Sequence, residues 1–195
     1  MFDVLIVGAG VVGSAAAREL SKYNLKIGVL EKHPDVCCET SARNSGVLHA
    51  GFNNKPGSLM AKFCVEGNAG FDQLAKELDI PFKKNGSFVL SFEEEGGSEL
   101  QRLYDRGIQN GVKDLQILSG DEVRQLEPNV SVDVKAALYA PTAGIVCPFG
   151  MTYAFAENAA VNGVEFHLNT EVTNIEKIST GFRVMTSKGD FETKY

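Results

Sequence analysis

Phe2-Asp3-Val4-Leu5-Ile6-Val7-Gly8-Ala9-Gly10-Val11-Val12-Gly13, completed by Lys26-Ile27-Gly28-Val29-Leu30-Glu31, is the stretch that decides how this chain folds. Phe2 to Val7 is a short apolar run rich in β-formers, too short for a helix and closed by glycine. The alanine-rich segment Ser14 to Tyr23 reads as a helix ended by Asn24, and Lys26 to Leu30 as a second buried strand. Strand, glycine turn, helix and strand in such close succession make a βαβ unit, and its parallel sheet must be covered on both faces.

Each glycine of the turn has a separate task. Gly8 permits the tight turn out of the strand, Gly10 lets the backbone approach a pyrophosphate, and Gly13 lets the helix pack against the sheet. Amides at the helix start, Val12 among them, then face a diphosphate with the positive end of the helix dipole behind them. Glu31, followed by Lys32, lies 18 residues after Gly13 at the end of the second strand. A carboxylate there accepts hydrogen bonds from both ribose hydroxyls of an adenosine and repels a 2′-phosphate. A glycine triplet alone is weak evidence; here it follows a strand, opens a helix and is completed by the acid.

Composition narrows the partners. The 195 residues are 44% hydrophobic and 23% charged, as in globular proteins, which excludes general disorder. With 25 acidic against 19 basic residues and a net charge of −6, the chain lacks the basic surplus of a nucleic-acid binder. No run approaches the ~20 apolar residues that cross a bilayer, and no basic region precedes the first apolar run, so no signal peptide is expected. Cys37, Cys38, Cys64 and Cys147 lack the paired spacing of a zinc site and read as reduced thiols of a cytoplasmic protein. Peripheral attachment to a membrane through a partner stays open.

Further along, residues 32–57 carry few periodic signals, and a loop of that length in a compact domain is usually functional or disordered. Ser58 to Leu78 has helical spacing, weakened by Gly67 and Gly70. Ser87 to Phe92 is expected as a strand and Glu99 to Asn110 as an amphipathic helix, with Glu93-Glu94-Glu95 as a solvated turn between them. Ser119-Gly120-Asp121-Glu122 has capping-box form and should start a short helix. Val134 to Ala140 reads as a strand, and Pro148 opens a helix running to Asn162. Val164 to Leu168, Glu171 to Ile178 and Gly181 to Thr186 read as strands, the last two joined at Ser179-Thr180, with another beginning at Phe191.

The glycine fingerprint does not separate NAD from FAD. Thr40 to Gly51 bears on that choice: small residues, an arginine and glycines directly after the ribose-binding strand can wrap a second stretch of a long cofactor. Gly8-Ala9-Gly10 with Glu31-Lys32, then Arg43-Asn44-Ser45-Gly46-Val47-Leu48-His49-Ala50-Gly51, resembles the D-amino-acid-oxidase-type FAD oxidoreductases. Lys55-Pro56-Gly57-Ser58-Leu59 and Ala61-Lys62-Phe63-Cys64 narrow the resemblance to the L-2-hydroxyglutarate oxidases and FAD-dependent glycerol-3-phosphate dehydrogenases. The likeness extends to Thr142-Ala143-Gly144-Ile145-Val146 and Thr170-Glu171-Val172.

The resemblance implies an α/β protein with a Rossmann-like FAD-binding domain, a parallel sheet and a β-meander, made of residues 1–80 with 142–195. An inserted α+β substrate domain would begin with residues 81–141. It places Glu31 on the adenosine ribose, Ser41, Asn44 and Ser45, with Gly46 in the same motif, along the pyrophosphate and ribityl path, and the backbone of Val172 at the adenine. Arg43 is expected on a phosphate or in structural duty. His49 would sit near the isoalloxazine ring, either taking the substrate's hydroxyl proton during hydride transfer, for which a histidine is suited, or packing against or hydrogen-bonding the flavin without proton transfer. His33 and His167 read as structural, and Cys64 as core filler. The substrate is expected to be a small anionic 2-hydroxy compound, L-2-hydroxyglutarate or glycerol 3-phosphate, with electrons passing to oxygen, a quinone or a protein. Relatives of this type are about twice as long, so the chain reads as an N-terminal portion that alone binds FAD weakly and turns over little. Rival readings are a flavin amino-acid oxidase of the same fold, a pyridine-nucleotide dehydrogenase, and a non-catalytic nucleotide-binding module.

Overall fold

The structure, a computed structural model, describes residues 1–93 and 97–195; Glu94 and Glu95 of the expected acidic turn lie outside the described residues. In chain order the elements are β1 (Val4–Val7), α1 (Val11–Leu20), β2 (Ile27–Leu30), β3 (Val47–Leu48), α2 (Leu59–Glu77), β4 (Phe82–Lys83) and β5 (Ser87–Ser91). They continue with α3 (Gly97–Gln109), β6 (Gln116–Ser119), α4 (Gly120–Leu126), β7 (Ala136–Ala140), β8 (Gly144–Val146) and α5 (Pro148–Val161). The last are β9 (Glu165–His167), β10 (Val172–Ile178), β11 (Gly181–Thr186) and β12 (Gly189–Thr193). It is a mixed α/β chain that divides into two compact units.

The first unit comprises residues 1–46, 77–81 and 147–195. β1, β2 and β9 form a parallel sheet in that order, with Ile6 opposite Val29 and Val29 opposite Phe166. All four residues of β2 are buried, as expected of the middle strand of a sheet covered on both faces. Helices α1 and α5 pack on each other through small side chains, Ala17 against Ala156 and Ala159, which together with Ile27, Val29 and Val164 make this unit's core. α1 begins at Val11, three residues earlier than the alanine run suggests, because Gly8 at φ +98° turns the chain so sharply that Gly10 already serves as its N-cap. A Cβ on Gly13 would collide with the Gly8 carbonyl oxygen, so the helix lies against the turn only because that residue has none. α5 opens on Pro148, as read from the sequence. β10, β11 and β12 form an antiparallel meander whose first turn is Ser179-Thr180, between the paired residues Ile178 and Gly181.

The second unit comprises residues 47–76 and 82–146, so α2 packs with the elements that follow it. Its core joins Ala50, Phe52, Leu100, Leu103, Leu115 and Leu138. β5, β7 and β6 pair antiparallel, as do β3 and β4 on either side of β8. α2 runs straight through Gly67 and Gly70, since both lie where a Cβ would meet nothing, while Ala61, Asn68, Phe71 and Ala75 face inward. α4 starts with the capping box read from the sequence. The Glu122 N–H donates to the Ser119 hydroxyl at 3.4 Å, and the Ser119 N–H donates to the Glu122 carboxylate at 2.8 Å.

Candidate dinucleotide-binding site

At the carboxyl ends of β1 and β2, Gly8, Gly10, Glu31, Lys32 and Val172 line one cleft of about 320 Å³, with Glu39 and Thr170 beside them. Ligands of open parallel sheets bind at that end of the strands. Glu31 is 8% exposed, and the backbone fixes its carboxylate twice: Ala9 N–H donates to Oε2 at 2.7 Å and His33 N–H to Oε1 at 2.9 Å. Each oxygen keeps a further lone pair for a donor arriving in the cleft. The main chain at Glu31 is held as well, its N–H on the His167 carbonyl at 3.0 Å and its carbonyl on the Thr170 N–H at 2.7 Å. The loop from β9 to β10 therefore brings Val172 to the same cleft as the acid.

Of the loop after β2, Lys32 and Glu39 line the cleft, whereas Ser41, Arg43, Asn44, Ser45 and Gly46 do not. The Ser41 hydroxyl accepts from the Val11 N–H at 2.9 Å, and a Cβ on Gly10 would stand 3.0 Å from that oxygen. Asn44 folds its own loop, donating to the Ser41 carbonyl at 2.9 Å and accepting from the Gly46 N–H at 2.9 Å. Arg43 donates to the Cys38 carbonyl at 2.6 Å, and Ser45 is exposed. Val12 is 79% exposed, so its side chain points to solvent and only its amide faces the helix start. Glu39 pairs with the His33 ring at 2.7 Å and with Lys32 at 3.2 Å, and that hydrogen bond to His33, then Lys32, holds its carboxyl below the usual range. Glu39 and Thr170 at this cleft were not singled out by sequence: Thr170 stood only as part of a resembling motif, and nothing local marks Glu39.

His49 belongs to the second unit. It is exposed and lines a separate cavity of about 330 Å³ with Phe52, Asn53, Met60 and Cys64. Burial pushes the Cys64 thiol up, so it is protonated at neutral pH. His33 braces Glu31 and Glu39, and the His167 ring packs edge-on against Phe2 and Phe191, so both have structural surroundings. All four cysteines are free, and no helix among the described residues is long and apolar enough to cross a membrane.

A buried carboxylate with preset oxygens, beside the amides of a glycine-turn helix, fits the ribose and diphosphate of a dinucleotide and defines a dinucleotide-binding α/β protein. The chain belongs to the FAD dependent oxidoreductase family, whose model matches residues 3–194. It is 50% identical over its whole length to a glycerol 3-phosphate dehydrogenase of Caloramator mitchellensis, covering 41% of that protein. It is 35% identical to an L-2-hydroxyglutarate dehydrogenase of Indibacter alkaliphilus, over 98% of this chain and 48% of that one. The L-alpha-glycerophosphate oxidase of Mycoplasma pneumoniae, solved with FAD bound, superposes with a TM-score of 0.88 at 37% identity, over 95% of this chain and 50% of its own. The chain thus spans about half the length of the relatives it matches. FAD is the cofactor of this family.

Proposed function

We propose that this chain carries the FAD-binding part, residues 1–80 with 142–195, and the start of the substrate domain, residues 81–141, of an oxidoreductase. Its substrate is a small anionic 2-hydroxy compound, glycerol 3-phosphate or L-2-hydroxyglutarate. The observation that carries the reading is Glu31, a buried carboxylate aimed by two backbone amides into the cleft lined by Gly8, Gly10 and Val172. Relatives named for these two substrates support the substrate class.

In this reading Glu31 accepts both adenosine ribose hydroxyls, and the amides of Gly10 and Val12, made accessible by Gly8 and Gly13, hold the diphosphate, the Val11 N–H being bonded to the Ser41 hydroxyl. Ser41, Asn44, Ser45 and Gly46 carry the cofactor's path onward, Lys32 balances charge at the cleft mouth, Arg43 braces the loop, and the Val172 backbone meets the adenine. FAD, when bound, would supply the two-electron redox chemistry. His49 accepts the substrate's hydroxyl proton. Oxygen, a quinone or a protein then takes the electrons.

Anaerobic mixing of the FAD-loaded protein with glycerol 3-phosphate, L-2-hydroxyglutarate and a panel of amino acids, followed by absorbance, tests this. Bleaching of the flavin band by one of the two 2-hydroxy compounds is expected. Bleaching by amino acids alone would refute the substrate class.

A further inference from the structure

His49 lies outside regular structure, yet its backbone is held tightly. Cys64 and Asn68 stand one turn apart on α2 and so reach the same side of the helix. Both reach the His49 carbonyl, the Asn68 amide at 3.1 Å and the Cys64 thiol at 3.6 Å. Asn68 spends its other amide hydrogen on the Thr142 carbonyl at 3.0 Å, just before β8. With both hydrogens used and the residue 6% exposed, this side chain bridges the His49 and Thr142 carbonyls. The far end of the same loop is gripped alike: Asn110, just past α3, donates to the Gly51 carbonyl at 3.0 Å and the Asn54 carbonyl at 2.8 Å. The loop's carbonyls are turned toward the helices, which leaves the His49 side chain on the exposed side.

An asparagine on the buried face of a helix loses helix propensity and burial energy to do this. Leucine has its shape without donors, and aspartate would point oxygens at oxygens. Without the bridge only the Cys64 thiol, a weak donor, still holds the His49 carbonyl, so the peptide joining His49 to Ala50 is looser and the imidazole moves with it.

We infer that Asn68 is a positioning residue for His49, fixing the peptide that aims the imidazole at the substrate's hydroxyl. This rests on the reading of His49 as proton acceptor. Catalytic geometry lost by about an ångström lowers rates roughly a hundredfold, and residues that act through one another are non-additive.

The test is a double-mutant cycle in the FAD-loaded protein with Asn68→Leu, His49→Ala and the pair. It is read as kcat and KM with whichever of glycerol 3-phosphate and L-2-hydroxyglutarate reduces the flavin, alongside FAD content and hydrogen exchange of residues 49–54. Asn68→Leu is expected to lower kcat about 10- to 100-fold with KM and FAD content within about threefold, and to speed exchange in the loop about tenfold. The double variant is expected to be no slower than His49→Ala alone. Should Asn68→Leu not fold, Asn68→Ser, which keeps one shorter donor, enters the same cycle. Multiplicative losses in the double variant, or unchanged loop exchange, overturn the inference alone. A wild-type rate in His49→Ala overturns the proton-acceptor reading with it.

Discussion

Replacing Glu31 by glutamine separates its bracing of the glycine turn from the ribose contact proposed for it. Glutamine keeps one carbonyl oxygen, so one of the bonds from Ala9 and His33 survives in neutral form, while the other N–H now faces an NH₂. A hydrogen bond to a charged acceptor is worth about 1.5–3 kcal/mol, so the site, 8% exposed, should lose about 2 kcal/mol of stability. For a chain of this size that is a fall of about 4–8 °C in Tm. On the ligand side, two ribose hydroxyls lose a charged acceptor at about 1–1.5 kcal/mol each, roughly a 30- to 150-fold rise in Kd for FAD. Thermal melts without cofactor and titration of FAD fluorescence quenching read the two effects separately. A lowered Tm with a Kd within about twofold of wild type would refute the ribose assignment and leave Glu31 as a brace for the glycine turn.

Gly13→Ala drives a methyl into the Gly8 carbonyl; it should cost about 1–3 kcal/mol as overpacking and lower the FAD content of purified protein, whereas Gly70→Ala, whose Cβ meets nothing on α2, should raise Tm, being worth about 0.5–1 kcal/mol. Ser119→Ala removes the cap of α4 and should cost about 1 kcal/mol, seen as a lower urea midpoint at unchanged m. Because burial raises the Cys64 thiol, iodoacetamide at pH 8 should label it more slowly than exposed Cys147, as peptide mass spectrometry would show. By linkage, the stability from its neutral form is intact at neutral pH and is lost as pH rises past the ordinary thiol range.

The βαβ unit was legible because every signal in it is local: a short apolar run, glycines at fixed offsets, an acid at the second strand's end. The α4 capping box and the proline at the start of α5 were legible for the same reason. β4, β6 and β8 were not, since strands of two to four residues show no alternation and their partners are remote; Phe82 pairs with Val146. The inward-facing Asn68 was equally hidden, because its helix position predicts an apolar residue and its two acceptors lie in distant loops. The motif around Asn44 drew attention to that residue, but only coordinates show its side chain stitching its own loop at Thr40, Ser41 and Gly46.

The account turns on what the cleft beside Glu31 holds, and a crystal structure of the protein grown with FAD addresses it directly. The adenosine ribose hydroxyls should lie within hydrogen-bond distance of Glu31 and the diphosphate against the amides of Gly10 and Val12. An adenosine seated away from Glu31, or a nicotinamide dinucleotide retained in that cleft in place of FAD, would contradict it.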